Sequence, residues 1–183
     1  NEMAKCELTD CLVAKIYLHN CAVTNTVCKK DLLVALHDGR AVIPSISGIC
    51  AITGKVLLKD ELTICQSNNE TISKELAGKC AISGKTLRNS LLVNCASTGS
   101  IIGKDIAVIL FNGEYASPLE CSKCDVDHKY YLRNNMSECQ LTNSLIANIN
   151  LFKCSISGSI VRKDKTAIGF LVENEKQKKD QDI

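Results

Sequence analysis

The chain has 183 residues, with 22 Lys and Arg against 20 Asp and Glu, 12 Cys, no Trp and only 4% aromatic side chains. A net charge of +2, with lysines spread almost evenly, gives no concentrated basic footprint, and scarce aromatics argue against a base-stacking groove, so nucleic acid is not the favoured partner. No run of about 18 apolar residues occurs, so no membrane-spanning helix is expected.

Read from the N-terminus, the dominant feature is a cysteine ladder. Cys6 to Cys21, Cys50 to Cys65 to Cys80 to Cys95, and Cys124 to Cys139 to Cys154 are all steps of 15, and the two gaps are 29 each. A period this long predicts a repeat architecture. Four positions after each cysteine stand Asp10, Asn25, Gly54, Asn69, Gly84, Gly99, His128, Asn143 and Gly158, nearly all of types that tolerate positive φ and so make tight turns. A second turn signal follows at Lys30-Asp31, Lys59-Asp60, Lys74-Glu75, Asn89-Ser90, Lys104-Asp105, Arg133-Asn134 and Lys163-Asp164. Turns this frequent leave no room for an average helix, and the runs between them, such as Leu91-Leu92-Val93 and Ile106-Ala107-Val108-Ile109, have strand composition. The predicted fold is all-β: a tandem array of about eleven β-hairpin units of ~15 residues, cross-linked through cysteine. The position seven residues after each ladder cysteine (Val13, Cys28, Leu57, Ile72, Leu87, Ile102, Tyr131, Ile146, Val161) is apolar throughout.

Two units lack the cysteine. Counting back from their turn glycines, Gly39 and Gly113, puts Ala35 and Ile109 at the cysteine position. Both units carry a proline, Pro44 or Pro118, which predicts an edge or a bend. These gaps reveal a second period of 74 residues, with Gly39 matching Gly113 and Pro44 matching Pro118. The expected organisation is a first five-unit block over 1–79, a second over 80–153, a partial third over 154–172 and a charged tail over 173–183, forming one continuous array or two closely packed small domains. A thin array without aromatics buries little, so cross-links are expected.

Three cysteines stand off the ladder: Cys11, Cys28 and Cys121. Cys121-Ser-Lys-Cys124 is a C-x-x-C, a spacing that lets two thiolates grip one tetrahedral ion, and Cys139 and Cys154 follow at one and two units' distance. The metal-site expectation is therefore structural zinc on Cys121, Cys124, Cys139 and Cys154, with His128 as a possible replacement for Cys154. Six disulfides would use the twelve cysteines equally well, and buried free thiols are a third reading. Zinc would fit a cytoplasmic chain and disulfides an extracellular one. Because the chain opens on Asn1, the lack of a leader says nothing about compartment.

The units Cys50-Ala-Ile-Thr-Gly-Lys55 and Cys80-Ala-Ile-Ser-Gly-Lys85 resemble a zinc-ribbon knuckle, with Thr53 or Ser83 where the second cysteine of that family would stand. They also look like cysteine-containing repeat arrays of large bacterial helicase-like proteins, which implies an accessory binding module.

No G-x-S-x-G, H-E-x-x-H or P-loop is present, and the C-x-x-C lacks the βαβ setting of a redox dithiol. The functional expectation is a non-enzymatic structural or interaction protein. Its array would present turn residues such as Lys55, Lys85 and Lys104 to a protein partner, or would self-assemble. The alternatives are a secreted, disulfide-stapled subunit of a fibre or coat, and a nucleic-acid-binding accessory module of a larger enzyme.

Overall fold

The computed structural model describes residues 2–155 and 157–164. The chain is all-β. Among the described residues the strands are 2–4 residues long and form eleven two-stranded sheets, each joining consecutive strands. Single turns of 3-10 helix link many of the hairpins. The expected tail over 173–183, and the part of the 154–172 block beyond residue 164, lie outside the described residues. Two compact units are formed, Asn1–Leu92 and Val93–Ile183.

The Cys50 hairpin shows how the sequence builds one module. Ser47–Ile49 pairs antiparallel with Val56–Leu58 in the register Ser47↔Leu58, Gly48↔Leu57, Ile49↔Val56. The Cys50 N–H donates to the Lys55 carbonyl at 2.9 Å, and the Gly54 N–H returns to the Cys50 carbonyl at 2.8 Å. This closure needs a left-handed residue at position 54, where φ is +68° and a side chain would cost conformational energy. The equivalent positions have positive φ throughout, whether filled by Asp10, Asn25, Asn69, His128 and Asn143 or by Gly84, Gly99 and Gly158. Thr53 braces the turn, its hydroxyl accepting the Lys55 N–H at 3.3 Å. Beyond the second strand the predicted second turn signals become 3-10 turns, as at Lys30–Leu32, Lys59–Glu61 and Lys74–Leu76.

The two cysteine-less modules correct the sequence register. Leu36, not Ala35, takes the cysteine's place: its N–H donates to the Arg40 carbonyl at 2.8 Å, and the Gly39 N–H returns to the Leu36 carbonyl at 3.0 Å. Leu110 likewise replaces Ile109, with Glu114 and Gly113 as partners. Leu36 and Leu110 are buried, whereas Ala35 and Ile109 face solvent. Each turn is one residue shorter than the cysteine turns, and that missing residue makes each gap 29 rather than 30. Pro44 marks the bend expected from sequence rather than a strand edge: it opens the 3-10 turn Pro44–Ile46, where no N–H is needed.

Successive hairpins dock through one recurrent backbone bond. The residue after the cysteine donates its N–H to a carbonyl at the start of the next hairpin's second strand. In the first compact unit these bonds are Glu7→Val27 (2.8 Å), Ala22→Ala41 (2.9 Å), His37→Val56 (3.0 Å), Ala51→Thr71 (2.8 Å) and Gln66→Thr86 (2.9 Å). In the second they include Ala96→Tyr115 (2.8 Å), Asp125→Leu145 (3.1 Å) and Gln140→Ile160 (2.9 Å). Two columns of side chains fill the interior. One is the cysteine column with its two leucines. The other is the position seven residues on, including Leu57, Ile72, Ile102, Tyr131 and Ile146, all buried. The stacked pair Phe111 and Tyr131, with centroids 4.4 Å apart, adds aromatic surface beside the Cys124 core cluster.

Candidate functional site

The chemistry of this chain is concentrated in the cysteine column, and the fold gives most of its sulfurs several donors. The turn forces the cysteine side chain inward while the N–H groups two and three residues on point back at it. For Cys50 these are the N–H groups of Ile52 and Thr53, together with the Thr53 hydroxyl. A further donor comes from the next hairpin: the Ser73 N–H lies 3.4 Å from the Cys50 sulfur. The same inter-hairpin contact joins Lys29 to Cys6, Ile43 to Cys21, Arg88 to Cys65 and Arg162 to Cys139. The Ala147 N–H lies 3.4 Å from the Cys124 sulfur.

Hydrogen bonds to sulfur favour the thiolate, and burial opposes it. The Thr9 hydroxyl is the largest influence on Cys6 and holds its thiol down to about 7 against burial. Burial pushes Cys21, Cys50 and Cys95 up, but the hydroxyls of Thr24, Thr53 and Ser97 and the surrounding N–H groups outweigh it, and each also stands at about 7. The same balance lowers Cys65 and Cys139.

Where the column has leucine, the next hairpin's N–H needs another acceptor. The Leu58 N–H, following Leu36 in the stack, turns to the Glu61 carboxylate at 3.0 Å. That substitution shows what the sulfur does elsewhere: it satisfies a donor that the hairpin stack leaves without a backbone partner.

The Cys124 module is the most polar variant. Asp127 stands where most other cysteine turns have Thr or Ser, and it accepts the Tyr131 hydroxyl at 2.7 Å, the Asn150 amide at 3.2 Å and the Lys129 N–H at 3.1 Å. The Cys124 thiol also donates to it. Burial pushes Asp127 up, yet these donors hold its carboxyl down to about 2. Burial and the Asp127 carboxylate push the Tyr131 phenol up to about 12.

Cys121, Cys124, Cys139 and Cys154 are not gathered into one centre. Among the described residues no group of three or more His, Cys, Asp or Glu is placed to hold a metal ion. Cys124 and Cys139 are engaged by separate donor sets on successive hairpins. Cys121 is driven up by burial, partly offset by Arg133, and its sulfur neighbour is Cys95 rather than the other expected ligands. This donor set does not fit a shared zinc. His128 is an exposed turn residue at φ 59°. All twelve cysteines are free thiols in this structure; Cys11 is exposed and Cys154 half-buried.

No protein-family model, curated protein or solved structure matches the chain.

The sulfur–amide contacts between hairpins, Cys28 beside Cys6 and the Asp127 network were not read from sequence. The Ser or Thr three residues after most cysteines was the available signal for the first: a hydroxyl there serves both turn and sulfur.

Proposed function

We propose that this chain is a non-enzymatic scaffold of tandem cysteine-centred hairpins that presents regularly spaced turns to a protein partner. One observation carries the reading. The column cysteines spend their sulfurs inward, on their own turns and the next hairpin, while the turn tips project outward. Those tips are amphipathic: Ile52 and Ile82 are exposed, and so are Lys55 and Lys85 in the same two turns. Leu8, Val23 and Leu141 repeat the exposed aliphatic position. Within the first compact unit these single aliphatic side chains, two of them with a lysine beside them, suit an extended acidic and apolar segment of a partner, read turn by turn.

The test is site-specific photo-crosslinking in the full chain expressed in its source cells, with the probe at Ile52, Ile82 or Leu141, and at Ile64 on a strand face as control. The scaffold reading expects discrete adducts from the turn positions that Lys55→Glu and Lys85→Glu weaken together. Adducts equal at Ile64 and at the turns, or unchanged by charge reversal, would overturn it.

A further inference from the structure

The inward-facing column seven residues after the cysteine is hydrocarbon or aromatic in every module but one. There it is Cys28. Two hydrogen bonds bracket this residue and set it against the preceding module's cysteine. The Glu7 N–H donates to the Val27 carbonyl at 2.8 Å, and the Lys29 N–H points at the Cys6 sulfur. In the equivalent pair of bonds at Cys50, the bracketed residue is the fully buried Ile72. Backbones joined by a direct N–H···O bond run about 5 Å apart, inside the span a disulfide bridges. Cys6, Cys21 and Cys28 also share one core cluster and expose no surface. Cys21 starts the turn of Cys28's own hairpin, two residues beyond His19, the cross-strand partner of Cys28, whereas Cys28 itself is held between the two bonds to the Cys6 module. Cys6 is therefore the better placed partner.

We propose that Cys6 and Cys28 form a disulfide in the folded chain when a low-molecular-weight disulfide is the oxidant. The Cys6 thiolate attacks one sulfur of the reagent; a mixed disulfide forms and the reagent's other sulfur leaves as a thiolate. Cys28 then loses its proton to solvent and attacks the Cys6 sulfur, expelling the second reagent thiolate. Two protein thiols give up two electrons and two protons, and one reagent disulfide becomes two thiols. Donors around Cys6 supply the thiolate, while burial and the neighbouring Cys6 and Cys21 sulfurs raise Cys28, which suits the order of attack. Entry is through the first hairpin. Its strands, Met3–Lys5 and Leu12–Ala14, contain no buried side chain, so it is the element expected to open first.

The experiment uses the full chain carrying Cys11→Ser, which removes the exposed thiol, equilibrated without denaturant in oxidised glutathione. Free thiols are then blocked and the linked peptides sequenced by mass spectrometry. The expected result is a loss of two thiols and a Cys6–Cys28 link that survives Cys21→Ala and vanishes in Cys28→Ile, a replacement that copies the neighbouring column residues. Amide exchange in the first hairpin is expected to slow by at least about tenfold on oxidation, because the bridge restrains the opened state. A Cys21–Cys28 link, an equal thiol loss in Cys28→Ile, or eleven unchanged thiols in the Cys11→Ser chain after prolonged oxidation would overturn the proposal.

Discussion

Replacing Cys50 by alanine tests the role assigned to the sulfur column. The variant removes the acceptor for three backbone donors, but they are not equivalent. Ile52 and Thr53 lie in an exposed turn, where water can take over. Ser73 is buried, and its N–H loses the partner it has at 3.4 Å. A stranded buried N–H costs about 1–3 kcal/mol, and losing the packing of a fully buried sulfur adds about 1 kcal/mol, so Cys50→Ala should destabilise its compact unit by about 2–4 kcal/mol. Cys50→Ser keeps an acceptor on a shorter stem and should recover part of the loss. Cys11→Ala is the control; Cys11 is exposed and its sulfur only donates weakly to the Thr9 carbonyl, so the change should stay within about 0.5 kcal/mol. Urea unfolding followed by circular dichroism measures the totals, and amide exchange at Ser73 reports the local effect. If Cys50→Ala matches Cys11→Ala in stability, or leaves Ser73 exchange unchanged, the sulfur is not the acceptor that holds adjacent hairpins together.

Four further outcomes follow from the same geometry. Glu61→Ala should cost about 1–2 kcal/mol by stranding the half-buried Leu58 N–H, and Glu61→Gln, which keeps a carbonyl acceptor, should cost less; urea midpoints decide. Gly54→Ala should cost about 1 kcal/mol from backbone strain alone, since nothing lies within 4 Å of the added carbon, while Gly54→Asn should be milder because Asn25 and Asn69 adopt the same conformation. Asp127 has its carboxyl held at about 2 in the fold against an ordinary 3.8, so its stabilisation is complete above that ordinary value and is lost as pH falls through about 2; unfolding midpoints from pH 6 to pH 2 should show this loss, and Asp127→Asn should remove it. Grafting the five-residue Leu36 turn in place of Cys50–Lys55 should destabilise the chain by itself, and adding Leu76→Glu, the counterpart of Glu61, should restore part of the stability; thermal melts of the two variants decide.

Much of the fold was legible because its turns carry unambiguous chemistry. Gly54, Gly84 and Asn143 stand where positive φ is required, and a fixed count from each returns the cysteine. The same count failed at Gly39 and Gly113 because those turns are one residue shorter. Asp38-Gly39 and Asn112-Gly113 held the clue, since Asx-Gly dipeptides favour the tightest hairpin turns, and Leu36 and Leu110 are both apolar. The cysteines themselves misled in a different way. Their spacing is what a shared metal or a bridge would produce, but it is also what a stacking hydrogen bond produces once per module. Sequence cannot separate these, because the Ser73 N–H and the Cys50 sulfur are 23 residues apart and meet only through the stack. The Cys121-Ser-Lys-Cys124 pair shows the same ambiguity: its local spacing is that of a knuckle, while the sulfur neighbour of Cys121 is Cys95.

The two interior columns place different demands on sequence. The column seven residues on only has to fill space, and it accepts valine, leucine, isoleucine, tyrosine and, at Cys28, a thiol. The cysteine column has to fill space and accept hydrogen bonds at once. A hydroxyl or carboxylate would accept the bonds more strongly, but at full burial an oxygen demands more solvation than one turn and one neighbouring amide provide. A hydrocarbon would pack but leave the next hairpin's donor stranded. Sulfur meets both needs because it behaves as a small hydrophobe that is also a weak, adaptable acceptor. The exceptions follow from this logic. Leucine enters the column only with a shortened turn, and beyond the Leu36 turn a carboxylate on the next hairpin, Glu61, takes over the acceptor's task. Cysteine at these positions thus serves hairpin stacking in a protein with few aromatic side chains.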